Sequence, residues 1–178
     1  MTNLAKLPAF LDRHTFHVVI ESPRGSAVKL KYDAKLQVMS ISRPLPIGLI
    51  YPYDFGFIPS TKALDGDPVD ALVVWDVPTF PGVVIECRAL GVIHVEQNRT
   101  NFDSKKRIRN DRILAIPTVH KREPVGPLTG SGRPRMQEEI ANFLTAVTDL
   151  EGKDATILGW AGSDDAIALI RRSLRRRR

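Results

Sequence analysis

Only one cysteine, Cys87, stands in the chain, so no intrachain disulfide can form and the fold must be held by a packed core. No apolar run approaches the ~18 residues that a membrane span needs. The amino-terminal stretch from Met1 to His14 carries one lysine and is broken by Pro8 and Asp12, which is unlike a secretory signal. These absences lead to the expectation of a cytoplasmic protein without membrane contact. Histidine is also scarce. His14, His17, His94 and His120 lack metal-ligand spacing and read as structural or exposed. Walker-type, CxxC and HExxH patterns are missing, and so is the acid-and-glycine register of an EF-hand. No elbow motif supports a catalytic serine.

Excess charge is missing as well, once it is located. The net charge of +6 equals the six arginines Arg171, Arg172, Arg175, Arg176, Arg177 and Arg178; the other 20 basic residues match the 20 acidic ones. The body therefore has no overall charge for a polyanion, which argues against a nucleic-acid partner. Residues 171–178 read as a basic carboxy-terminal tail, a solvated helix end of favourable charge for its own dipole. At 178 residues the chain is expected to form a single domain, 1–178, with a sizeable core.

What is present is strand-like. Thr15 to Glu21 contains β-branched Val18, Val19 and Ile20; Val28 to Tyr32 alternates, with Lys29 and Lys31 on one face; Leu36 to Arg43 is a third extended segment. Pro44 to Pro59 is rich in Pro, Gly and aromatic residues and reads as an irregular packed crossing. Strands are expected at Asp70 to Trp75, at Gly82 to Glu96 with a bend at Gly91, and at Ile113 to Ile116. Between the last two, Gln97 to Asp111 reads as an excursion or hairpin tip. A proline- and glycine-rich loop over 123–135 precedes a helix in which Met136, Ile140, Phe143, Leu144, Val147 and Leu150 recur at helical spacing. Gly152 is a stop, and Ser163 can cap a last helix with Asp164 and Asp165 in its first turn. The pattern is an α+β, mostly β body with two helices behind it.

The most informative stretch is Asp65-Gly66-Asp67-Pro68-Val69-Asp70, followed by the apolar run Ala71 to Trp75. Two unit charges ~6 Å apart repel by roughly 3 kcal/mol at an effective dielectric of ~20. Three carboxylates beside a buried strand therefore call for a cation, and a hard divalent metal suits them. An acidic turn in solvent is the other reading. Lys29, Lys31, Arg43 and Tyr51 lie on or beside strands upstream. With metal-binding carboxylates they suit an anionic, oxygen-rich substrate, phosphate above all.

This stretch resembles the signature of the soluble family I inorganic pyrophosphatases. Val18-Val19-Ile20-Glu21, Lys29, Arg43, Tyr51-Pro52, Gly56, Pro81-Gly82 and Gly91-Val92 fall where that family's landmarks fall, and the likeness runs from about His17 to Pro117. Weaker support continues through Leu150-Glu151 and Gly159-Trp160. The resemblance implies a five-stranded OB-like closed barrel with flanking helices. It also implies Mg²⁺-dependent hydrolysis of pyrophosphate to two phosphates by a metal-activated water, and a homo-oligomer, in bacteria commonly a hexamer. It assigns Asp65 and Asp70 to metal binding, Asp67 to the catalytic base, Lys29 and Arg43 to phosphate, and Tyr51 and Glu21 to support of that constellation.

Departures from the family pattern gather around the same site. Lys31 stands where the family has an acid, and Phe55 where it has a second phosphate-facing tyrosine. Gln97, Asn110 and Arg112 replace a later aspartate pair and a lysine, and Val147 and Thr148 replace a Tyr-Lys pair. Asn110 or Asp111 is a substitute metal ligand by this reading, with Glu96 and Asp103 as further carboxylates in reach. The changes make the pocket less negative, so fewer metals are expected, one or two. Two other functions stay open: a weakened or inactive descendant that binds phosphate ligands or a partner, and a hydrolase of a larger phosphoanhydride.

Overall fold

Alternating and β-branched runs become nine strands in the computed structural model, which describes residues 3–99, 107–119, 134–149 and 151–174. Strand β1 (Thr15–Ser22) pairs antiparallel with β4 (Asp54–Ile58), and β4 with β5 (Val69–Val73). Strand β5 runs parallel to β8 (Arg112–Pro117), which pairs with the long β6 (Val84–Asn98). The first half of β6 returns to β1, so these five strands close into a ring. Strands β7 (Arg107–Arg109) and β9 (Thr156–Ala161) extend the far half of β6, while β2 (Val28–Asp33) and β3 (Val38–Pro44) form a separate hairpin. Helices α1 (Pro134–Asp149) and α2 (Ser163–Arg172) complete the fold.

Period-two alternation divides the ring strands between the two helices. Ala71, Val73, Ile113 and Ala115 pack with Ala166, Leu169 and Ile170 of α2. Their neighbours Leu72 and Leu114 turn the other way, to Ile140, Phe143, Leu144 and Val147 of α1. Both faces are thus covered, which explains why β5 and β8 read as continuous apolar runs. Cys87 is buried in the first of these clusters.

Four expectations need correction. The crossing from Pro44 to Pro59 ends in a regular strand, β4, every residue of which is buried. Gly56 lies there because a Cβ would come within 1.9 Å of the Val19 carbonyl oxygen, a demand for close approach rather than a break. Strand β9 was not expected, since Gly159 interrupts its sequence. Strand β3 begins at Val38 rather than Leu36: Asp33 Oδ1 accepts from the amides of Lys35 and Leu36 and curls the chain into a turn. The N-cap of α2 is Gly162, without a side-chain cap, and Ser163 is the first helical residue. The register of β6 shifts between Ala89 and Gly91, where a bend was expected. His120, Asp103, Leu150, Arg175 to Arg178 and most of the 123–135 loop lie outside the described residues.

Candidate active site

The β2–β3 hairpin, the β4–β5 loop, the start of β8 and the end of α1 enclose a cavity of about 280 Å³. Five carboxylates line it, Glu21, Asp65, Asp67, Asp70 and Glu151, and so do five cations, Lys29, Lys31, Arg43, Arg112 and Lys153. The wall is therefore formally neutral from its own side chains. Tyr51, Phe55, Gln97 and Asn110 also face it, with Phe143, Leu144, Val147 and Thr148 of α1 closing one side.

Strand register explains the phosphate-type cations. Lys29 and Arg43 are direct cross-strand partners, so both side chains leave the hairpin on one face, and Lys31 follows Lys29 on that face by the period of two. Lys29 and Arg43 meet one carboxylate, Glu151. Its Oε1 lies 3.6 Å from Lys29 Nζ and pairs with the Arg43 guanidinium, while Oε2 lies 3.2 Å from Lys153 Nζ. Burial pushes the Lys29 ammonium down to about 8, with Asp70 opposing that shift and the neighbouring cations reinforcing it. Tyr51 is buried, 5.6 Å from the Phe55 ring and 5.1 Å from the Phe143 ring, and burial pushes its phenol up to about 12. It is a neutral donor at any ordinary pH.

The acidic stretch is shaped by a tight turn. Gly66 has φ +98°, which only glycine adopts without strain, and Asp65 Oδ1 accepts from the Asp67 amide at 3.2 Å. Asp67 Oδ2 in turn accepts from Lys31 Nζ at 3.1 Å, in a pair exposed to solvent. Burial disfavours the Lys31 ammonium, but Asp67, helped by Glu21 and Asp70, more than offsets this and holds its pKa up. Glu21 is buried and its Oε1 accepts from the Tyr32 amide at 2.7 Å. Burial raises its carboxyl to about 7, with that amide opposing the rise and Asp70 adding to it.

Asp70 on β5 faces Arg112, the first residue of β8. Arg112 is buried; its Nε lies 3.8 Å from Asp70 Oδ2, one terminal nitrogen donates to Gln97 Oε1 at 3.2 Å and the other to the Asn110 carbonyl. Burial raises the Asp70 carboxyl, and Arg112 followed by Lys29 works against that rise. At an effective dielectric of ~20 this pair attracts by roughly 4 kcal/mol before desolvation. A divalent ion ~4 Å from the same guanidinium would be repelled by roughly 8 kcal/mol.

The structure brings Asp65, Asp67, Asp70, Lys29, Arg43, Tyr51, Glu21 and Asn110 to one cavity. It does not bring Asp111. Strand alternation turns Asn110 and Arg112 inward and therefore Asp111 outward. There its carboxylate binds Arg109, His94 Nδ1 and the Val95 amide, with Arg109 at 2.9 Å and His94 at 3.1 Å. Glu96 is likewise engaged elsewhere, 3.0 Å from Arg107. Among the described residues no three Asp, Glu, His or Cys side chains are grouped to hold a metal ion. Two polar residues of the cavity were given no site role by the sequence reading: Glu151 entered it only as a landmark of the resemblance, and Lys153 not at all, its one signal being a charged turn after a helix, beside the Gly152 stop.

A closed five-strand ring thus carries a cavity of about 280 Å³ whose five cations, five carboxylates and acidic turn suit an anionic, oxygen-rich ligand. The inorganic pyrophosphatase family model matches residues 18–178. An inorganic pyrophosphatase of Thermus thermophilus is 35% identical over 181 residues, 99% of this chain and 98% of that one; one from Streptomyces coelicolor is 36% identical over 166 residues, 90% and 94% of the two chains. The crystal structure of the T. thermophilus inorganic pyrophosphatase superposes with a TM-score of 0.86 over 98% of both chains at 32% identity. That of Coxiella burnetii gives 0.82 over 94% of this chain and 98% of that one, also at 32%. The chain belongs to the inorganic pyrophosphatase family, and its fold is that family's OB-like fold with flanking helices.

Proposed function

We propose that this protein hydrolyses inorganic pyrophosphate to two phosphates by direct attack of water. The convergence of Lys29, Arg43, Lys153 and Arg112 on a cavity that also holds Asp67 is the observation that carries this reading. The cations bind and orient the two phosphoryl groups and stabilise charge developing on their oxygens. Asp67 takes the proton of the attacking water; its pair with Lys31 is exposed, so a substrate phosphate can draw the ammonium away at small cost. Tyr51, held neutral, donates to a phosphate oxygen, and Glu21 fixes the hairpin through the Tyr32 amide.

The family's hydrolases are metal-dependent, and here the metal is read as Mg²⁺. Asp65 and Asp70 are read as the carboxylates for one such hard ion, held against the charge of Arg112 beside Asp70, with the Asn110 amide as a neutral oxygen, since Mg²⁺ takes one or two carboxylates and completes its shell with water and phosphate oxygens. When bound, the ion polarises phosphate oxygens and acidifies water. The protein is further read as one domain and as a cytoplasmic homo-oligomer.

The Lys31–Asp67 and Arg112–Asp70 pairs favour a second reading, a phosphate-binding descendant with little or no turnover. Phosphate release from pyrophosphate, a nucleoside triphosphate and polyphosphate separates the two. Release from pyrophosphate above all supports hydrolysis of that substrate. No release from any of them, with phosphate still bound, supports the second reading.

A further inference from the structure

A second cavity, of about 440 Å³, lies back to back with the candidate active site. The chain alternates between the two: Asn110 and Arg112 line the first cavity, Arg109 and Asp111 the second. The β4–β5 loop is divided in the same way, with Asp65 and Asp67 on one side and Lys62, Ala63 and Leu64 on the other. Leu169, Arg172 and Ser173 at the end of α2 complete the lining with Val69. Loop and helix end are joined here, since the Lys62 amide donates to the Ser173 carbonyl at 2.7 Å and Thr61 bridges to Leu174.

We propose that this second cavity binds a small phosphate monoester with an apolar organic group. Its lining holds three cations, Lys62, Arg109 and Arg172, against one carboxylate, Asp111, which leaves a surplus of two positive charges. Asp111 is already engaged, accepting from Arg109 Nε at 3.1 Å, from its Nη2 at 2.9 Å and from the Val95 amide at 3.0 Å. That pair fixes the guanidinium, and among the described residues Nη1 has no partner. Lys62 and Arg172 have no ion pair among the described residues. A phosphate monoester carries a charge of about −1.5 to −2 near neutral pH, which matches the surplus, and its oxygens suit a guanidinium. The organic group is called for by the rest of the lining. Val69 and Leu169 form a buried apolar floor, and Leu64, 79% exposed, stands beside it. An apolar group laid against Leu64 removes that surface from water. Arg172, read from the sequence as part of a solvated tail, thus has a place in a cavity wall.

Calorimetry on the whole protein tests this with phenyl phosphate as the probe and inorganic phosphate beside it. Lys62, Leu64 and Arg172 are exposed, so their variants are expected to fold. Lys62→Ala/Arg172→Ala is expected to weaken phenyl phosphate binding by about tenfold or more, because each lost cation removes a charge-assisted hydrogen bond. Arg43→Ala, in the other cavity, is expected to leave it unchanged. Leu64→Ser is expected to weaken phenyl phosphate and not inorganic phosphate. With the probe bound, hydrogen exchange of the Lys62 amide is expected to slow, since the ligand spans the two segments that this amide joins. No binding by the wild type, loss in Arg43→Ala with retention in the double variant, an equal effect of Leu64→Ser on both probes, or unchanged exchange at Lys62 overturns the proposal. Neither measurement needs turnover, so failure here leaves the pyrophosphatase reading untouched.

Discussion

The two walls of the cavity handle charge in opposite ways. On the hairpin and α1 side, three cations, Lys29, Arg43 and Lys153, share a single carboxylate, Glu151. On the β5 and β8 side, two carboxylates each have a cation of their own, Asp67 with Lys31 and Asp70 with Arg112, while Asp65 faces the cavity beside them. A shared carboxylate leaves surplus positive charge for a substrate anion. A matched pair leaves none, so on the acidic wall Asp65 is, among the described residues, the carboxylate with no ion pair of its own to give up. The first wall suits phosphate, and the second holds the carboxylates read as base and metal ligands.

The comparison breaks most visibly at Arg112. Replacing it by Met leaves Asp70 as an uncompensated carboxylate in a largely buried place, and a loss of about 3–5 kcal/mol is expected in urea unfolding. Asp70→Asn is expected to cost a similar amount, and the double variant to recover much of it, because neither charge is then stranded.

Glu21 gives the next largest effect, and its sign follows from linkage. Its folded pKa of about 7 lies above the ordinary value of 4.5, so between those values the native state binds more protons than the unfolded chain. The stability this group confers is full below the unfolded pKa and is lost as pH rises through about 7. Against Glu21→Gln, the wild type is expected to lose about 3 kcal/mol across that window in denaturant titrations. A difference independent of pH would contradict the assignment of burial as the cause.

Smaller effects sharpen the contrast between the walls. Glu151→Gln frees three cations together, and phosphate binding by calorimetry is expected to tighten about tenfold, or 1.4 kcal/mol. Lys31→Gln breaks an exposed pair, so stability is expected to change by about 0.5 kcal/mol or less. Equal effects of these two changes on phosphate affinity would erase the distinction drawn between the walls.

How much of this was legible in the sequence depends on whether a residue's place is set by local periodicity. The alternation of β2 put Lys29 and Lys31 on one face, and the β-branched runs of β1, β5 and β8 announced themselves. Strand β4 did not, because Gly56 and its flanking prolines look like breakers until the Val19 carbonyl is seen pressed against the glycine. In β9, Gly159 hid the strand in the same way. Asp65, Asp67, Asp70, Lys29 and Arg43 were read as site residues from type and motif, and all line the cavity. Asp111 was misplaced by one residue of alternation, and Asn110 and Arg112 face inward in its stead. The site roles of Glu151, noted only as a landmark, and of Lys153 were not legible because more than a hundred positions of sequence separate them from the hairpin cations they meet.

The central claim, that this cavity hydrolyses pyrophosphate with Asp67 as base, is tested most directly by the initial rate of phosphate release from Mg-pyrophosphate in the wild type and in Asp67→Asn. Loss of a general base is expected to lower the rate by about 10²–10⁴-fold, with the fold and phosphate binding retained. Equal rates in the two proteins, or no release from the wild type above the variant's background, would contradict the account.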